Sequence, residues 1–130
     1  MKTAYIDIPH EKWGVVVVYD YDVKYDYDEL CEQMMSFGLP YHKAEDALDI
    51  LSDYNTGMTV SNETLRMSIV FVSDATSPSE WYNTAIHEFI HVADSILDHY
   101  GEIWGGEPSA YLVGYMTKEL VELVGEPCVL

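Results

Sequence analysis

Residues 87 to 91 read His87-Glu88-Phe89-Ile90-His91, two imidazoles four positions apart with a carboxylate directly after the first. Four residues of an α-helix advance about 400°, which stands the two rings one above the other on one face. At that spacing both reach a single Zn2+ at about 2.0 to 2.1 Å. Glu88 flanks the pair, placed to take a proton from a metal-held water as general base rather than to ligate the ion. The pentapeptide therefore supplies two metal ligands and a base. The plain alternative is a pair of exposed helix-surface histidines beside a solvated acid, and a third ligand decides between the two.

This chemistry needs the motif inside a helix. Ser77-Pro78-Ser79-Glu80 is a capping box with Pro at the first helical position, and Gly101 suits the residue just past a helix end. These signals predict one helix from Pro78 to Tyr100. Along it Ala85, Phe89, Val92, Ala93, Ile96 and Tyr100 form an apolar stripe, and His87, His91, Asp94 and Asp98 a polar stripe on the opposite side. The first is expected against a core, the second in a cleft.

Asp94 and Asp98 share the histidine helix, and a helix cannot wrap its own third ligand around a tetrahedral ion already held at i and i+4. Among the later acids, Glu107 opens a second predicted helix, Pro108 to about Val124, closed by Gly125 and Pro127. The short connection makes the two helices antiparallel neighbours. Gly105-Gly106 lets it fold over the site, so Glu107 is the expected third ligand. The other role for Glu107 is a helix-start acid favoured by the macrodipole.

His87, Glu88 and His91, followed by Glu107-Pro108-Ser109-Ala110-Tyr111, resemble the HExxH…E metallopeptidases called gluzincins. They are more closely similar to the small phage and bacterial HExxH proteins, including the ImmA/IrrE-like peptidases, in which a Glu followed by an Ala-aromatic or Ala-Asn pair supplies the third ligand. The resemblance covers roughly residues 57 to 124. It implies a small zincin-like domain, Zn2+ on His87, His91 and Glu107, Glu88 as base, peptide-bond hydrolysis, and a phage or bacterial setting. Asp94 and Leu97 stand where metzincins carry a Gly and a third His, which excludes that branch. Tyr111 stands where the thermolysin-like branch has an Asp, so that partner does not carry over. In the resembled peptidases an edge strand beside the motif helix receives substrate as an added strand, and Arg66 to Val72 is the candidate here, with an ordinary core strand as the alternative.

A zinc-bound imidazole usually donates its other N–H to a carboxylate or carbonyl. Asp94, one turn past His91, and Asp74, just before the motif helix, are candidates, each with a solvated surface acid as its plain reading. Tyr111 and Tyr115 lie at i+4 and i+8 from Glu107, and the Tyr111 phenol is a candidate donor to a developing oxyanion. With eleven tyrosines in the chain, core or rim packing suits both as well.

The remaining elements form the frame. Predicted strands at Thr3 to Ile8 and Trp13 to Asp20 precede helices at Tyr27 to Ser36 and Tyr41 to Ser52, separated by Gly38 and Pro40. A hairpin about Asn62-Glu63 joins Met58–Ser61 to Leu65–Ser73. Strands followed by helices make an α+β fold: N-terminal strands and hairpin packed on the motif helix and the helix after it. At 130 residues and 48% hydrophobic content the chain suits one core, so 1 to 130 is expected to be a single domain. Cys31 and Cys128 fit neither a CxxC site nor a disulfide framework, as in a cytoplasmic protein with reduced thiols. Met-Lys-Thr leads into no signal-peptide core, and Val15 to Val18 is too short to span a membrane.

Six basic residues against 23 acidic ones give a formal charge of −17. Phosphate-backbone binding relies on clustered Lys and Arg, so nucleic acid is excluded as a partner. The field favours a divalent cation and steers basic polypeptides towards the cleft, although dispersed acids also serve solubility. The run Asp20, Asp22, Asp26, Asp28, Glu29 lacks the EF-hand pattern. A zinc-dependent peptidase acting on one or few polypeptides is the leading expectation, since so small a chain has little surface for substrate subsites. The competing class is a non-catalytic acidic interaction protein, with or without a structural metal, that binds a basic partner.

Overall fold

Alternation of Ala4, Ile6 and Ile8 with exposed Thr3, Tyr5 and Asp7 makes β1 (Lys2–Ile8) a strand with one covered face. The unbroken valine run of β2 (Trp13–Tyr19) signals burial on both faces. In the computed structural model, which describes residues 1 to 129, these two strands form an antiparallel pair. Two helices follow, α1 (Tyr27–Ser36) and α2 (Tyr41–Leu51), then β3 (Gly57–Asn62), β4 (Met67–Val72), α3 (Pro78–Tyr100) and α4 (Glu107–Val124). The sheet order is β1-β2-β4-β3, with β2 and β4 parallel and β3 antiparallel to β4.

A parallel pair needs a crossover, and α1, α2 and β3 provide it. The sheet consequently has helices on both faces: α3 and α4 on one, as expected from the sequence, and α1 and α2 on the other, a placement the sequence did not reveal. Val15, Val17, Val70 and Val72 meet α3 and α4 around Phe89, Ile96 and Met116. Val18, Ile69 and Phe71 meet α1 and α2 around Leu30, Met34 and Leu48. The fold is α+β, a four-stranded mixed sheet with four helices, and among the described residues no helix is long and apolar enough to cross a membrane.

Both ends of α3 follow the sequence signals. The Ser77 side chain accepts the Glu80 backbone N–H at 3.1 Å, Pro78 occupies the first turn, and Gly101 takes φ 71° in the left-handed region. Tyr100, expected in the apolar stripe, is exposed with its hydroxyl donating to the Glu11 carbonyl. The helix is about 34 Å long at its usual rise, longer than six- or seven-residue strands of about 20 Å, and its last turn sets His99 edge-on against Trp13 at the start of β2.

Arg66 to Val72, expected to receive a peptide strand, cannot do so. Arg66 lies in the β3–β4 turn at φ 51°, and Met67 to Val72 pair with β2 on one side and β3 on the other. Its backbone groups are already used. The strands with an open side are β1 and β3, at the two ends of the sheet.

Candidate functional site

Helix α3 lies over β4 and β3, and α4 packs on α3 and over β1. Burying Ala85, Phe89, Val92 and Ile96 turns His87 and His91 outward on the side of β3. Their rings stand 5.2 Å apart, edge to face. Ligand atoms of His87, Glu88 and His91 all lie within 4.8 Å of one another, and they are the one such group of His, Cys, Asp and Glu among the described residues.

The carboxylate is unlike its neighbours. The side chain of His87 is 69% exposed and that of Glu88 only 7%. Strand β3 causes this burial. Its residues alternate: Met58 and Val60 face the α1–α2 core, so Gly57 and Thr59 face α3. The Thr59 hydroxyl lies 2.8 Å from Glu88 Oε1, to which it donates, and 3.3 Å from the Glu88 carbonyl. Glu88 Oε2 is 3.9 Å from His87 Nε2. A buried carboxylate is costly unless hydrogen-bonded or paired with a cation, and the free side of this one faces the two imidazoles.

Gly57 makes the close approach possible. A Cβ there would come within 2.8 Å of Glu88 Cγ and 2.9 Å of Thr84 Cγ2. Gly57→Ala is therefore expected to cost about 1 to 3 kcal/mol by overpacking and to push Glu88 off Thr59, weakening metal binding at the same time. Thermal unfolding and a metal titration on one sample check this; an unchanged titration would mean that β3 does not position Glu88.

Two adjoining depressions, of about 300 and 460 Å³, share Gly57, His87 and Glu88. One continues past Asn83 and Thr84, the other past Thr59, His91 and Asp94. They form one groove between β3 and α3 that crosses the histidine pair. Asp94 lies in it one turn after His91, as expected of a partner for that ring. Asp74 does not. It lines a separate depression with Tyr21, Asp22 and Asp53, and burial, then the charges of Asp20 and Asp22, raise its pKa.

The structure does not bring Glu107 or Tyr111 to this group. Gly101 comes ten residues after His91, about 15 Å further along the helix axis. The connection does not fold back over the histidines: Glu102 N–H donates to the Leu97 carbonyl, and Gly105 N–H to Ser109 Oγ, which ties the loop to the first turn of α4. Glu107 is exposed at that first turn, the position the helix macrodipole favours. Leu112, Met116 and Leu120 bury the inner face of α4, which leaves Tyr111 exposed and stacked on Tyr115 at a centroid distance of 6.1 Å. The Tyr115 hydroxyl reaches the Asp7 carbonyl of β1, at the opposite end of the sheet from β3.

Sequence reasoning missed Gly57 and Thr59. Gly57 carried a usable signal, because a glycine opening a strand often marks close approach of another element. Thr59 carried none, since its role depends on which face of β3 meets α3.

The donor chemistry suits a first-row dication. Two imidazole nitrogens are usual zinc donors, a carboxylate beside them can act on a metal-held water or complete the set, and donors at 2.0 to 2.1 Å from a tetrahedral ion sit about 3.4 Å apart. Exposed imidazoles can rotate to close the difference from 4.8 Å. No family model matches the chain, and neither does any curated protein or solved structure.

Proposed function

We propose that the protein is a zinc-dependent peptidase of zincin-like build, acting on one or a few polypeptides. One observation carries the reading: a buried carboxylate, Glu88, fixed by Thr59 between two exposed imidazoles, in a groove beside the open strand β3. His87 and His91 would hold the ion. When bound, Zn2+ supplies a Lewis acid that polarises a carbonyl and lowers the pKa of water.

The chain's own residues do the rest. Glu88 takes a proton from the attacking water and returns it to the leaving amine, and the Thr59 bond to Oε1 holds the carboxylate in position for both transfers. An extended polypeptide laid along β3 pairs its main chain with that edge and crosses the histidines with its scissile bond. Asp94 turns the His91 ring by accepting its second N–H. The charge of −17 draws basic segments to the groove and discourages nucleic acid.

A second reading has a specific observation in its favour. With Glu107 elsewhere, Glu88 is the third donor nearest the imidazoles. As a ligand it would close a structural metal site in a non-catalytic acidic protein that binds a basic partner.

Elemental mass spectrometry of the purified protein, with cleavage of a peptide library before and after chelation, tests both. The peptidase reading expects one zinc per chain and cleavage that stops on chelation and returns with Zn2+. Metal without cleavage of any sequence favours the second reading, and a chain that takes up no divalent metal overturns both.

A further inference from the structure

Strand β1 is the other open side of the sheet, at the far end from the histidines, and α4 runs beside it. Between them lies a groove of about 370 Å³ bordered by Tyr5, Asp7, Tyr115, Glu119, Glu122 and Leu123. Its α4 wall carries the carboxylates of Glu119 and Glu122 and the Tyr115 phenol, and no Lys or Arg borders it; the Tyr5 ring lies over Gly14 on the opposite face of the sheet.

The edge of β1 is available for pairing in a defined phase. In an antiparallel pair, alternate residues turn both N–H and C=O the same way. Asp7 faces Gly14 across the β1–β2 pair, yet its carbonyl is taken by Tyr115 and the Gly14 N–H donates to the Arg66 carbonyl, so both point away from the pair. Thr3 and Tyr5 share the phase of Asp7, and their N–H and C=O groups face outward from the sheet edge, Tyr5 within the groove and Thr3 beyond its end.

The groove is also short of donors. Tyr115 has one hydroxyl proton and two acceptors, the Asp7 carbonyl at 2.9 Å and Glu119 Oε1 at 3.1 Å. Within the protein only one of the two acceptors receives that hydrogen at a time, and the other is left to solvent or to a ligand, near Glu122. A cationic side chain or an incoming amide N–H satisfies it.

We infer that the β1–α4 groove binds an extended basic segment of another polypeptide, which adds to the sheet beside Thr3 and Tyr5 and sets its Lys or Arg side chains, on the α4 face, against Glu119 and Glu122. Outward N–H and C=O groups on one strand call for a polypeptide main chain rather than a small cation. The acid-lined α4 wall calls for basic side chains. A second copy of this chain, itself at −17, brings the wrong charge. This inference does not depend on zinc or on catalysis at His87 and His91.

The test uses the whole protein and a short peptide alternating lysine and valine, followed by amide NMR and hydrogen exchange. The peptide should shift the Thr3, Tyr5 and Asp7 amides and slow exchange at Thr3 and Tyr5. The same peptide with alternate amides N-methylated should lose binding, because it keeps its charge but cannot form the ladder. Combined Glu119→Gln and Glu122→Gln should weaken binding about tenfold, and His87→Ala should leave it unchanged. Equal binding of the N-methylated peptide would reduce the effect to unspecific charge attraction and overturn the inference. So would shifts confined to β3, or loss of binding in His87→Ala.

Discussion

Glu88→Gln is expected to slow peptide hydrolysis by about 10²- to 10⁴-fold, the usual contribution of a positioned proton-transfer group, while zinc content stays at one per chain. The amide keeps the shape of the carboxylate, and its carbonyl oxygen still accepts from Thr59, so the β3–α3 contact survives. It can no longer take a proton. Removing a buried negative charge should leave the fold at least as stable without metal, since that carboxylate has one close hydroxyl donor and an imidazole at 3.9 Å. Steady-state cleavage rates, metal analysis and thermal unfolding on one preparation separate these effects. Should the variant lose its zinc, Glu88 is a ligand and the structural-metal reading takes over.

His87→Ala and His91→Ala should each lower zinc affinity by more than about 100-fold, beyond the 10- to 100-fold typical of residues that only orient a ligand. Asp94→Ala belongs in that lower range, because it stands in the groove beside His91 and holds no ion itself. Glu107→Ala should stay close to the parent, being exposed at the start of α4 with the loop before it tied to Ser109. Competition with a chromophoric chelator gives the ranking directly. A severe loss in Glu107→Ala would show that the 101 to 106 loop closes over the histidines when metal arrives.

What could be read from the sequence was local. Ser77-Pro78 and Gly101 fix the ends of α3 through backbone hydrogen bonds that close within a few residues, and the rings of His87 and His91 share a face because helical pitch puts them there. Glu107 was placed by exclusion of the acids on α3, by loop length and by resemblance to the HExxH…E peptidases, none of which fixes the path of the connection. Spacing shows that α4 returns beside α3, but the side on which it returns is set by Leu112, Met116 and Leu120 meeting a core whose position the sequence does not reveal. The open strand had a legible sign that was overlooked. Ile69-Val70-Phe71-Val72 is apolar without alternation, as in a strand covered on both faces, whereas Gly57 to Asn62, of the same length as β4, alternates Thr59 and Ser61 with Met58 and Val60, as in a less covered strand. Choosing between them correctly also required the parallel pairing of β2 with β4, a contact between distant segments that no local pattern encodes.

Two open strands at opposite ends of one sheet make each molecule a bivalent building block. β1 of one copy could pair with β3 of the next, and because those surfaces differ, the contact is head to tail and does not close on itself. Repulsion between chains of charge −17 stands against such a filament. That protection weakens with salt: the screening length is about 8 Å at 0.15 M and about 3 Å at 1 M. Concentrated protein in strong salt should therefore grow end-to-end polymers, and a capping peptide seated on β1 should shorten them.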